Sequence, residues 1–184
     1  MKRVEKQRLI TIIITTALIG FVGYIIYSWW FASQRILKIN INGIEFGFRR
    51  DIREALKVEI ENSSEIKKAL WNPNLKKLTL VFVNSSDNIL VKIQFFEITY
   101  KLAVAYQLKN RLMNISGEAI ESYENLKGDE SNVLIAVIPP YFTNHTRVWF
   151  KDWVVYIEGK DSKDLDLATI RFLLTVLNST EFKS

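Results

Sequence analysis

The hydrophobic and polar positions of the chain divide it into two regions, and the first is one long apolar run. From Leu9 to Gln34 there are 26 consecutive uncharged residues. As a helix, the stretch from Leu9 to Trp30 would extend about 33 Å, which is enough to cross the hydrocarbon core of a bilayer. A cleaved signal peptide has a shorter apolar core that ends in small residues, whereas this run ends in aromatic ones. We therefore predict an uncleaved transmembrane helix over residues 9–31.

The aromatic end of this run predicts where the bilayer surface lies. Indole and phenol rings combine an apolar body with a polar N–H or O–H group, and they concentrate at the headgroup level of membranes. Tyr27, Trp29 and Trp30 come just before Arg35, the first charged residue after the run. We expect these three residues to act as membrane-interface anchors, with the lipid bilayer as their partner.

The numbers of basic residues on the two sides of the apolar run do not decide its orientation in the membrane. Four basic residues precede it, and four follow it closely at Arg35, Lys38, Arg49 and Arg50, so the positive-inside comparison is a draw. A long following domain crosses the membrane largely regardless of its charge, while a short basic tail resists crossing. We expect residues 1–8 to be a cytoplasmic basic tail and residues 36–184 to form an outward-facing domain at the cell membrane. The reversed topology is the open alternative.

The second region alternates between short apolar segments and polar turns. The segment ILKININGIEFGF has alternating apolar residues on both sides of Asn42-Gly43, a pair typical of tight hairpin turns. Two short helices are expected next, the first with Asp51 and Glu54 at capping-box spacing and the second after Asn62.

Two β-β-α units are predicted after this hairpin and the short helices. We interpret LKKLTLVFVNSSDNILVKIQF as two strands, followed by a helix with Ile98, Leu102, Ala105 and Leu112 on one face. The segment SGEAIESYENLKGDE is expected to be a loop, either without regular structure or with one short helix. In the second unit, RVWFKDWVVYIEG is either one long strand or a hairpin turning at Lys151-Asp152. The predicted fold is thus α+β, with a mostly antiparallel sheet on which helices pack.

The final helix of this pattern, DLDLATIRFLLTVL, is apolar on nearly all sides. A helix of this kind has to be covered on nearly all sides. It is expected either to be the central core helix beneath the sheet or to be buried against a second copy or another subunit.

The amino-acid composition argues against several classes of function. The net charge is +5, but residues 1–8 carry +3 of it, which leaves the rest of the chain too evenly charged to bind many phosphates. We therefore expect no nucleic-acid partner. There is no cysteine, and the only histidine, His145, lies in a turn-like stretch where we expect an exposed loop residue. No phosphate-binding loop, nucleophile elbow or zinc-ligand pair is present, so no catalytic, cofactor or metal residues are predicted.

Five Asn-x-Ser/Thr triplets suit an outward-facing domain, since this triplet is the acceptor for N-glycosylation. Asn62 and Asn178 also suit helix ends. Asn84 and Asn144 are expected in loops between strands, and we predict these two as the better glycosylation acceptors.

The sequence favours a noncatalytic interaction domain that a single span displays on the outer face of the membrane. It would serve as an accessory subunit or an envelope scaffold, with a protein partner or a second copy bound to it. The alternative is a membrane-tethered hydrolase of envelope glycans or peptides that uses two carboxylates. The candidate carboxylates are Glu97, Glu121, Glu124, Asp152 and Glu158.

Overall fold

The computed structural model of the chain describes residues 20, 22–24, 37–41, 44–83 and 88–177. The chain divides into two compact units, Met1–Leu37 and Lys38–Ser184. In the first unit Gly20 and residues 22–24 are helical.

A membrane span is not found in the described part of the chain, where no helix combines sufficient length with sufficient apolar character. Most of the span predicted at residues 9–31, including Tyr27, Trp29 and Trp30, lies outside the described residues. That span stays a prediction.

The second unit contains eight strands and four α-helices among the described residues. The strands are β1 (Leu37–Ile41), β2 (Ile44–Phe48), β3 (Glu59–Ile60), β4 (Lys77–Val83), β5 (Asn114–Ile120), β6 (Asn132–Ile138), β7 (Arg147–Lys151) and β8 (Val154–Glu158). The helices are α1 (Ile52–Ala55), α2 (Ser63–Leu70), α3 (Asn88–Leu108) and α4 (Ser162–Leu177), and a 3-10 turn spans Pro140–Phe142.

The strands form one small and one large sheet. β1 and β2 form a two-stranded sheet, which confirms the strand pair expected around Asn42-Gly43. The large sheet is six-stranded, in the order β3-β7-β8-β6-β4-β5.

The large sheet is mixed, so the prediction of a mostly antiparallel sheet is wrong. Only β7 and β8 pair antiparallel, while β3–β7, β8–β6, β6–β4 and β4–β5 all pair in parallel. Parallel neighbours need a long crossover between them, and α3 is the crossover from β4 to β5. The α+β class itself, with helices packed on a sheet, agrees with the prediction.

The first predicted β-β-α unit does not exist, because its second strand is the beginning of α3. Residues 88–95 of the segment NILVKIQF are helical and continue without a break to Leu108. Their inward positions include Val91 and Gln94, and their outward positions include Ile89, so apolar residues occur on both sides. This distribution hides the 3.6-residue period and imitates a strand.

Residues 116–120 of β5 belong to the acidic, glycine-flanked segment that the sequence predicts as a loop, so this part of the prediction is wrong. All seven residues of β5 pair in parallel with β4, from Asn114 opposite Lys77 to Ile120 opposite Val83. β5 is an edge strand with several exposed side chains. An edge strand needs little apolar surface, because one side of it has no neighbour and its faces are only partly covered.

The open question about RVWFKDWVVYIEG is decided in favour of a hairpin. β7 and β8 pair antiparallel from Arg147 opposite Glu158 to Lys151 opposite Val154. The turn residues are Asp152 and Trp153, one position later than the predicted turn at Lys151-Asp152, and both have positive φ, 50° and 60°. Positive φ at both central residues is the mark of a type I′ turn, the turn whose twist suits two-residue hairpins.

The main core lies between one face of the large sheet and the helices. α4 is its centre, with ten of its residues buried, and it contacts α1, α2, α3, β7 and β8. α4 is therefore the core helix of the two alternatives, and its apolar surface is used within the domain. Ile98, Leu102 and Ala105 of α3 are also buried in this core, but Leu112 lies beyond the helix and is fully exposed.

Local capping agrees with the prediction at Asp51 and differs from it at Asn62. Asp51 accepts a hydrogen bond from the Arg53 amide at the start of α1, and Asp161 accepts one from the Asp164 amide at the start of α4. Asn62 stands at the N-cap of α2 but in the left-handed conformation, without a side-chain cap. Its amide group instead donates to the carbonyl of Phe150.

Candidate functional site

The second face of the large sheet carries a smaller apolar cluster and only partial cover. Its buried members are Val81, Ala136, Ile138, Val154 and Tyr156. The segment between β5 and β6 crosses this face, and its residues Tyr123 and Leu126 pack against the cluster. We call this side of the sheet the open face.

A groove of about 410 Å³ lies on the open face, beside the β7–β8 hairpin. Its apolar lining comes from Tyr123, Leu126, Ile138, Trp149 and Tyr156, and its polar lining from Glu124, Asn125, Lys127, Lys151 and Asp152. Its volume falls within the range of ligand sites, and its lining is divided about equally between apolar and polar residues.

The aromatic wall of the groove is a cross-strand pair. Trp149 on β7 lies directly opposite Tyr156 on β8, and their rings stack with centroids 3.8 Å apart and planes 7° apart. Alternation along the two strands places both rings on the open face. The indole Nε1 of Trp149 donates to Glu158 Oε1 at 2.5 Å, which fixes the ring in its plane.

Glu158 holds this arrangement from inside the protein. Its side chain is 5 % exposed and also accepts hydrogen bonds from Thr143 Oγ1 at 3.0 Å and Arg147 Nε at 3.3 Å. A buried carboxylate needs such partners to offset its lost hydration. Glu158 is therefore a positioning residue for Trp149.

Tyr123 fixes the crossing segment to the sheet. Its hydroxyl donates to the carbonyl of Val137 at 2.7 Å and accepts from the amide of Val83 at 3.2 Å. Its ring meets Phe142 edge to face at 5.5 Å. Burial raises the pKa of Tyr123 to about 12, because the charged phenolate would lose its water.

The charges around the groove balance. Lys127 and Lys151 are matched by Glu124 and Asp152, and all four side chains are exposed. Burial, together with the negative charge of Asp152, raises the pKa of Tyr156. A balanced rim does not select strongly anionic or cationic ligands.

No metal cluster is found in the part of the chain that the structure describes, taking groups of three or more His, Cys, Asp or Glu side chains. His145 is exposed in the loop before β7, as predicted, and its backbone amide donates to Thr143 Oγ1.

The candidate carboxylates are distributed over three places. Glu124 and Asp152 line the groove together, whereas Glu158 lies behind Trp149. Glu121 is exposed after β5. Glu97 is on the helix side of the sheet, where it pairs with Lys101.

The two predicted glycosylation acceptors have different outcomes. Asn144 is exposed in the loop between the 3-10 turn and β7, a position that an acceptor requires. Asn84 lies outside the described residues.

Sequence reasoning did not identify Trp149, Tyr156 and Tyr123 as site residues. The first two could have been found from the hairpin alone, since a turn at Asp152-Trp153 places them directly opposite each other. Tyr123 could not, because it reaches the groove only through the crossing segment. Comparison with protein-family models, curated proteins and solved structures finds no match to this chain.

Proposed function

We propose that the chain is a single-pass membrane protein whose α+β domain is a noncatalytic interaction domain on the outer face of the membrane. It serves as an accessory subunit or envelope scaffold, and it binds a segment of a partner protein in the groove. The observation that carries this proposal is the groove itself, with its rigid aromatic wall and its balanced rim.

The geometry of Trp149 supports binding of a protein segment. Binding energy at protein interfaces concentrates on Trp, Tyr and Arg residues that sit in preformed pockets with polar groups around them. Trp149 is held by the Tyr156 stack and by Glu158, so little conformational entropy is lost when a ligand packs on it. The exposed Lys127 and Asp152 can pair with polar groups that flank an apolar side chain of the partner.

Photo-crosslinking tests this proposal. A photoreactive amino acid at Asn125, on the rim of the groove, is expected to capture one protein in native membranes several times more strongly than the same amino acid at Lys68. Lys68 is exposed on α2 and does not line the groove, so it is a matched control. The adduct should disappear when Trp149→Ala is introduced into the Asn125 probe chain.

The mass of the adduct identifies the class of partner. An adduct of twice the chain mass of 21.5 kDa would mean a second copy. Equal capture at Asn125 and Lys68, or capture that survives Trp149→Ala, would contradict binding in the groove.

A carboxylate hydrolase is the second candidate, and one observation favours it: Glu124 and Asp152 line the same groove. Both side chains are exposed, however, and a carboxyl that acts as an acid is usually kept protonated by apolar surroundings. Bond cleavage can be measured with the full chain in detergent on envelope glycans and peptides. Cleavage that is lost in both Glu124→Gln and Asp152→Asn would establish the hydrolase, and we expect none above the blank.

A further inference from the structure

The outer face of α3 exposes large apolar side chains. Ile89 is 70 % exposed, Phe96 69 % and Tyr100 57 %. Their spacing of seven and four residues places them on one side of the helix. We define this outer face by Ile89, Lys92, Phe96, Tyr100 and Ala103, all exposed, of which only Lys92 is charged.

This stripe is separate from the core-facing side of α3, whose residues are packed within the domain. Ile98, Leu102 and Ala105 are buried in the main core. The polar residues among the inner positions have partners: Gln94 donates to Asp166 at 2.7 Å, and Lys101 pairs with Glu97. α3 is therefore apolar on two opposite sides, and a helix of this kind needs cover on both.

The end of β2 lies beside α3. The ring of Phe48, at the end of β2, lies beneath Lys101 Nζ at 4.4 Å from its centroid. The next residue, Arg49, shares a small cavity of about 10 Å³ with Gln94 and Glu97 of α3.

The linker to the predicted span is short. Six residues separate the predicted bilayer boundary at Trp30 from the first strand at Leu37, and even fully extended they reach about 20 Å. If the span ends at Trp30, the attachment point of the domain lies within that distance of the lipid surface.

We infer that the outer face of α3 packs on the surface of the outer leaflet, with its apolar side chains at the boundary between headgroups and acyl chains. The inference rests on the proposed membrane anchor. Phe96 and Tyr100 have parallel rings 6.3 Å apart, and aromatic and aliphatic side chains in one row are the lipid-contacting residues of interfacial helices. A single lysine adds little charge attraction, so the contact is with lipid apolar groups and does not require anionic lipid.

The absence of cysteine allows a direct test, since one introduced thiol is unique in the chain. Phe96→Cys and Ala103→Cys carry an environment-sensitive fluorophore on the outer face of α3, and Asn125→Cys carries it at the groove. The full chain is reconstituted in phosphatidylcholine vesicles that contain nitroxide-labelled lipid. Labels at positions 96 and 103 should be quenched on the order of threefold more than the label at 125, in low and high salt alike.

Three outcomes would overturn the inference. In the first, the label at position 96 stays in water although the chain resists alkaline carbonate extraction. This result would contradict the lipid contact of α3 but agree with the membrane anchor. Protection from water without lipid quenching, or protection that rises with the protein-to-lipid ratio, assigns the outer face of α3 to a second copy. Quenching that appears only in parallel vesicles containing phosphatidylserine would contradict the apolar contact.

If the predicted membrane anchor does not exist, the carbonate extraction gives a different result. Release of the chain by carbonate would overturn the proposed function. Quenching at position 96 in such a chain would still identify α3 as a surface-binding helix.

Discussion

At the scale of single residues, close backbone contacts decide which substitutions the domain tolerates. Gly159 leaves β8 just before α4, and a Cβ built on it would lie 2.3 Å from the amide nitrogen and 2.4 Å from the Cα of Leu165. Neither of these backbone atoms can move without moving the helix. A Cβ at Gly117 on β5 would meet only the Phe95 ring, at 3.6 Å, an ordinary contact.

We expect Gly159→Ala to lower the free energy of unfolding by about 3 kcal/mol, because the new methyl group overpacks the start of α4. Gly117→Ala is the matched control and should change it by less than about 1 kcal/mol, since alanine suits a strand better than glycine. Urea titration of the full chain in detergent, followed by tryptophan fluorescence, measures both. Equal effects of the two variants would mean that α4 does not approach Gly159 as described.

The buried Lys101 should make the free energy of unfolding of the domain depend on pH. It is 3 % exposed, and burial lowers its pKa below the usual range, against the opposing effect of Glu97. Below a pH of about 10.5 the unfolded lysine binds its proton more completely than the folded one. Stability should therefore rise with pH from the folded pKa up to that limit.

Lys101→Met should remove this rise, because methionine fills similar space without a proton. Urea midpoints of both chains between pH 8 and 10 provide the measurement, and the difference should shift in favour of the native chain as pH increases. A constant difference would contradict the lowered pKa. Above pH 10 the raised pKa of Tyr123 acts in the opposite direction, since the unfolded phenol loses its proton first.

At the scale of elements, α3 is the helix whose observed beginning differs most from the one predicted from the sequence. Its existence was predictable from Phe96 onward, where Ile98, Leu102 and Ala105 recur at helical spacing. Its first two turns were not, because a segment that is apolar on two faces and polar at Gln94 has no clear helical period. Tertiary contacts stabilise these two turns as a helix: Asp166 accepts a hydrogen bond from Gln94, and Val91 is buried in the main core.

The two faces of α3 should respond differently to truncation. Ile98→Ala removes a fully buried side chain and is expected to cost about 3 kcal/mol in the free energy of unfolding. Phe96→Ala removes a larger side chain that is mostly exposed, and in detergent it should cost less than about 0.5 kcal/mol. The two urea midpoints give the comparison, and a large loss for Phe96→Ala would show that the outer face of α3 supports the fold itself.

At the scale of the whole molecule, the groove depends on the order of the strands. β5 and β6 flank β4 on opposite sides, both parallel to it. The segment between them has to return across the sheet, and it does so over the open face, where Tyr123 bonds to both Val83 and Val137. The hairpin of β7 and β8 then completes the groove.

The proposed topology can be tested at the same scale. Asn144→Cys places a unique thiol in an exposed loop of the domain, and Lys2→Cys places one in the basic tail. The positive-inside argument predicts that a membrane-impermeant maleimide labels the Asn144→Cys chain in intact cells and the Lys2→Cys chain only after lysis. Labelling in the reverse order would establish the domain in the cytoplasm.

The sequence by itself determined the local features of this protein: the first strand pair, the cap at Asp51, the apolar character of α4 and the exposure of His145. These depend on short-range spacing, which is written along the chain. The tertiary structure alone decided the parallel pairing, the strand identity of β5, the beginning of α3 and the groove. Each of these depends on which residues far apart in the chain become neighbours, and hydrophobic periodicity carries no information about that choice.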